Sequence, residues 1–177
     1  MSDADVVWTA VRRKRAIRRF AERPLDPEHL RRIVDAGRRA SSSKNTQPWD
    51  FVVVEQRETL RELAKVGPYA GHLAGAAAGI ALVTPDPATV DAPLSVYWDL
   101  GQAAQNMMLV AWELGIGSVP ATVYDPDLAK RILGYPDDRH CEFVLSFGYP
   151  ARDEDLTRPP KAGGRRPLED IVHRERW

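Results

Sequence analysis

Residues 94–114, LSVYWDLGQAAQNMMLVAWEL, constrain the fold more than any other stretch of the chain. They carry its longest helical signal. Tyr97, Gly101, Ala104, Met108, Ala111 and Trp112 cover one side of the predicted helix, and Trp98, Gln105 and Leu109 the neighbouring side. A helix apolar over so much of its circumference lies at the centre of a domain or at a subunit interface. Gly115 and Gly117 are placed to end it. A chain of 177 residues is the right size to build one domain, 1–177, around such a helix.

The remaining elements follow from periodicity and punctuation. Val6, Val7, Ala10 and Val11 recur at helical spacing, predicting an amphipathic helix over 4–15. Asp26 is a natural N-cap and Pro27 a natural first position for a second helix with Leu30, Ile33, Val34 and Gly37 on one face, ending near Ala40. FVVVE (51–55) reads as a buried strand and ETLRELAK (58–65) as a short helix. GIALVT (79–84) is a second strand, closed by Pro85 and Pro87, and 118–124 is extended. Asp125-Pro126 opens a short helix that Gly134 terminates, and 141–150 is the last clear strand. With no repeat and no linker, the pattern predicts a single α+β domain with a mixed sheet of about four or five strands.

Twenty-five basic residues balance 25 acidic ones, which excludes a dedicated nucleic-acid binder with its basic excess. The most apolar run, Leu73–Thr84, is too short and too rich in Ala and Gly to span a bilayer. Cys141 is the only cysteine, so no disulfide forms within one chain and a reducing, cytoplasmic compartment is expected. MSDADVVW opens on acidic residues and has no long apolar core, unlike a secretory leader.

The side chains advertise no catalytic apparatus. GIGSVP has a proline where a dinucleotide fingerprint needs its third glycine, and there is no phosphate-binding P-loop or nucleophile elbow. His29, His72, His140 and His173 are scattered without metal-ligand spacing, and Cys141 reads as a small buried hydrophobe. Either the protein binds without chemistry or a cofactor supplies the chemistry. Three polar stretches bear on that choice. KRAIRRF (14–20) could hold a phosphate through Lys14, Arg15 and Arg18, or could be a solvated basic face at a helix end. SSSKNTQPW (41–49) could line a polar ligand, or could be a turn in which Asn45 and Gln47 satisfy local backbone. GGRRPLEDIVH (163–173) puts Arg165 and Arg166 after two glycines, as a ligand clamp or as a basic tail.

Taken in order, the basic motif at 14–18, the N-T-Q-P-W box at 45–49, the long helix running into L-G-I-G-S, the G-Y-P at 148–150 and the G-R-R-P-L tail resemble the FMN-dependent nitroreductase family over nearly the whole chain. The resemblance implies a three-layer α/β/α fold with a mixed, mainly antiparallel sheet and a long central helix, in an intertwined homodimer. It implies FMN held at the dimer interface, NADH or NADPH as electron donor, and ping-pong reduction of a nitroaromatic, quinone or similar small-molecule acceptor. By that resemblance Lys14, Arg15, Ala16 and Arg18 meet the FMN phosphate and the flavin's polar edge, and Arg165 and Arg166 close on the phosphate. Ser41, Ser42, Ser43, Asn45 and Gln47 contact the flavin from the partner subunit, while Gly117 and Ser118 bring backbone amides to its reactive edge. No side chain is assigned a catalytic role, no metal is implied, and neither nucleic acid nor membrane is a partner. The chain has Ala16 where the family commonly has Ser, Lys14 where Arg is common and Ser41 where Pro is usual, and its stretch between Thr84 and Trp98 is brief. Relatives on the same fold run dehydrogenation, dehalogenation or flavin fragmentation, and a flavin binder without turnover is the remaining alternative.

Overall fold

The computed structural model describes residues 5–159 and 164–177. Its helices are α1 (Val6–Arg13), α2 (Pro27–Arg38), α3 (Arg57–Leu63), α4 (Pro93–Glu113) and α5 (Pro126–Leu133). Its strands are β1 (Asp50–Val54), β2 (Ala78–Pro85), β3 (Gly117–Thr122) and β4 (Arg139–Gly148). The sequence signals sit at the ends they were expected to mark. The Asp26 carboxylate accepts the Glu28 N–H at 2.8 Å, and the Asp125 carboxylate accepts the Leu128 N–H at 2.8 Å. Gly134 closes α5 at φ 70°.

The strands form one sheet in the order β1-β2-β4-β3, with every neighbouring pair antiparallel. Among the described residues the parallel component is an isolated bridge between Ala16 and Ser118. β2, apolar but for Thr84, is buried on both faces. On one face α2 and α4 pack over Ile80, Leu82, Leu145 and Phe147. On the other, α3 and α5 cover Ala81, Val83, Cys141 and Val144. Helices, sheet and helices thus make three layers, as the resemblance implied.

The long helix is central, but its buried face differs from the predicted one. Val96, Asp99, Leu100, Ala103, Met107, Met108 and Ala111 point inward, whereas Gly101 is exposed and Trp98 is 75% exposed. With apolar residues on all sides, the pattern marks the helix without fixing its rotation. α1 shows the same: Thr9 and Ala10 are buried, while Val7, Trp8 and Val11 are 71%, 63% and 50% exposed. Ala4, the first residue of the expected helix, lies outside the described residues. Trp177, the last residue of the tail, is fully exposed and stacks on His173 at 4.2 Å. The tail therefore does not dock on its own domain.

Candidate functional site

The basic segment leaves α1 at Arg13 and runs extended across one end of the sheet. The Ile17 N–H donates to the Ser118 carbonyl at 3.1 Å, Ala21 N–H to Tyr149 at 2.9 Å, and Ala151 N–H back to the Arg19 carbonyl at 3.0 Å. Gly117 and Gly148 are register partners on β3 and β4. A Cβ on Gly117 would lie 2.6 Å from the Ile17 Cβ, and one on Gly148 2.8 Å from the Phe20 ring. The paired glycines make a bare floor on which Ile17 and Phe20 lie. Gly117 therefore does not end the long helix. Gly115, at φ 74°, follows it, and Gly117 begins β3.

With Ile17 pinned inward, the cations are held at the edge. The half-buried Lys14 ammonium donates to the Met108 sulfur at 3.3 Å, its only hydrogen bond among the described residues. A thioether is a weak acceptor. Burial first, and then the nearby Arg18 charge, lower the Lys14 pKa below the ordinary lysine value. The Arg15 guanidinium donates to the Arg12 and Lys14 carbonyls at 2.8 and 3.0 Å, while its Nε is buried without a hydrogen-bond partner. Arg18 is exposed and enters no ion pair among the described residues. Arg158, which sequence reasoning missed, donates to the Ala16 carbonyl at 3.1 Å. The buried Asp155 steadies it, accepting from Arg158 at 3.4 Å and from Arg152 at 3.2 Å.

The serine loop follows α2. Its backbone is unusual: Lys44, Asn45 and Gln47 sit at φ 52°, 57° and 49°, the left-handed region that side-chain-bearing residues avoid. Within the loop, Ser42 Oγ accepts the Gln47 N–H at 3.0 Å and Thr46 Oγ1 donates to the Ser43 carbonyl at 3.0 Å. Asp99 Oδ2, on α4, accepts the Ser43 N–H at 2.8 Å. Asp99 is 3% exposed. Ser41–Ser43, Trp98, Asp99 and Gln102 line an open cleft of about 590 Å³. Trp49, behind the loop, is buried and stacks on Phe51 at 6.5 Å, anchoring the loop's end in the core. Asp99 was legible in one respect: it is the lone charge between Leu94 and Val110.

The structure therefore gathers Lys14, Arg15, Ala16 and Arg18 around buried Gly117 and Ser118. It sets Ser41, Ser42, Ser43, Asn45 and Gln47 apart from them as a second cluster. Both clusters lean on α4, at Met108 and Asp99, roughly 13 Å apart along the helix axis at 1.5 Å per residue. Arg165 and Arg166 are exposed in the tail and are not brought onto either cluster within one chain. Gly163, which precedes them, and Lys161 lie outside the described residues. Among the described residues no group of three or more His, Cys, Asp or Glu could hold a metal, and no helix is long and apolar enough to cross a membrane. Cys141 is fully buried, and burial pushes its thiol up to about 12, in line with a packing role.

A family model for the nitroreductase family matches residues 11–71 and 65–149. A protein of Archaeoglobus fulgidus assigned as an NADH dehydrogenase/NAD(P)H nitroreductase is 32% identical over 169 residues, covering 93% of this chain and 94% of its own. Among solved structures, an NADPH:FMN oxidoreductase from Vibrio harveyi complexed with NAD+ superposes with a TM-score of 0.84 at 24% identity, over 97% of this chain and 78% of its own. An assigned nitroreductase of Desulfovibrio desulfuricans in complex with FMN gives a TM-score of 0.78 at 27% identity, over 97% of each chain. The ordered motifs, the three-layer fold and these matches lead to one conclusion: the chain belongs to the nitroreductase family.

Proposed function

We propose that this protein is an FMN-dependent NAD(P)H oxidoreductase, working as a homodimer that reduces a small acceptor such as a nitroaromatic or a quinone. The observation that carries the reading is the state of its cations. Lys14 is half-buried against a sulfur and Arg15 Nε is buried without a partner, so both have donor capacity that a phosphate or a flavin carbonyl would meet. Lys14, Arg15 and Arg18 would hold the anionic end of FMN, joined by Arg165 and Arg166 from the tail. The backbone at Ala16, Gly117 and Ser118 would face the flavin's polar edge. Ser41, Ser42, Ser43, Asn45 and Gln47 would meet it from the partner subunit. The chemistry that FMN bound there would supply is hydride acceptance from the nicotinamide and electron delivery to the acceptor.

The chain's own part is to bind, orient and exclude water. N–H groups fixed by β3 geometry stabilise negative charge without reorganising. Trp8, Val11, Leu94 and Trp98 form apolar surface on α1 and α4 that a second copy would cover, which supports the homodimer. A cytoplasmic location fits the single, buried thiol.

The test is the visible spectrum of the purified protein, followed by anaerobic NADH or NADPH. A flavin band that bleaches supports the reductase. A band that persists points to a flavin binder with another role, and no uptake of added FMN defeats the reading.

A further inference from the structure

We propose that Asp99 is a positioning residue for the flavin site, fixing the serine loop in its cofactor-receiving shape through the Ser43 N–H. The proposal rests on the flavin reading above and concerns how that site is built. Three side-chain-bearing residues of the loop are left-handed. Such a backbone persists only where its surroundings over-determine it. The hydrogen bonds of Ser42, Thr46 and Gln47 are internal to the loop and would move with it. Among the described residues, the bond from Ser43 N–H to Asp99 Oδ2 at 2.8 Å is the only hydrogen bond tying 41–47 to an element outside the loop and α2. It is charge-assisted, and it is shielded because Asp99 is 3% exposed. A carboxylate buried on a central helix is costly. Here it sits at the floor of the cleft lined by Ser41–Ser43, so its position couples α4 directly to the predicted flavin contacts.

FMN titration of the full chain, followed by flavin fluorescence and by the visible circular dichroism of bound FMN, tests this. Asp99→Ala should weaken FMN binding roughly tenfold or more and change the dichroism of the bound flavin. Asp99→Asn, which keeps a carbonyl acceptor, should restore most of both. The same bond can be cut from the other side. Ser43→Pro removes the N–H, and Ser42 at φ −142° and ψ 151° tolerates a following proline. Ser43→Ala keeps the N–H and controls for the lost hydroxyl, so Ser43→Pro should bind roughly tenfold more weakly than Ser43→Ala. If Asp99→Ala does not fold, that serine comparison decides. Asp99→Ala and Ser43→Pro proteins that bind FMN like their controls, with unchanged dichroism, overturn the proposal while leaving the flavin reading intact. A wild-type chain that takes up no FMN overturns both.

Discussion

Ile17 occupies the space that a side chain on Gly117 would need: a Cβ there would come 2.6 Å from the Ile17 Cβ. The contact is with a stiff β-branched residue, not with the tip of a flexible chain, so relief requires moving the backbone that carries Lys14 and Arg18. Gly117→Ala should cost about 1–3 kcal/mol of stability, as overpacking does. It should also loosen FMN, because the basic segment shifts. Urea unfolding and an FMN titration on the same protein check both halves. An alanine variant that binds FMN normally would separate the glycine floor from the cofactor.

Arg18 is exposed and enters no ion pair among the described residues, so its removal breaks no ion pair there. Arg18→Ala should leave stability within a few tenths of a kcal/mol, as for most surface substitutions. FMN binding should fall by about 1.5–3 kcal/mol, the worth of a hydrogen bond to a charged group. Calorimetry with FMN reads the loss, and unchanged affinity removes Arg18 from the site.

His72 links the strands on the opposite face. Its Nδ1 lies 2.8 Å from Ser146 Oγ, which also donates to the Val119 carbonyl at 3.2 Å. Burial, and then the Arg18 charge, push its pKa down from 6.5 to about 4. The folded state thus favours neutral imidazole. Its contribution to stability is whole above pH 6.5 and is lost as pH falls from 6.5 towards 4. The melting temperature of the wild type should therefore fall more steeply across that window than that of His72→Asn. Parallel slopes would show that His72 does not titrate this way.

Trp98 is three-quarters exposed on the central helix, beside Leu94. Light scattering should give the wild type a mass near twice the 19.8 kDa of one chain. Trp98→Glu, placing a charge in the surface that a second copy would cover, should shift the population towards one chain and release FMN with it. A wild type that is a single chain at micromolar concentration would refute the homodimer.

The elements were legible because local chemistry marks their ends: Asp26, Asp125 and Gly134 each act where they were read. The rotation of α4 was not legible, since apolar residues on every side leave no moment to phase it, and Trp98, placed on an apolar side by the sequence, is exposed while Asp99 is buried. The basic segment and the serine loop were found through the ordered motifs. Asp99 and Arg158 were missed because each acts through a partner 56 or 142 residues distant, beyond any local pattern. The left-handed backbone at Lys44, Asn45 and Gln47 was hidden for a different reason. None of these residues is glycine, so nothing in their identity required it.

The spacing of the two clusters along α4 has a genetic consequence. If each cofactor takes its cations from one chain and its loop from the other, a lesion in either cluster spoils both sites of a pure dimer. Mixed dimers behave differently. Pair an Arg18→Ala chain with a chain damaged at Asn45, and both lesions fall in one site while the other inherits none. Two inactive preparations, unfolded together and refolded, would then regain activity that neither regains alone.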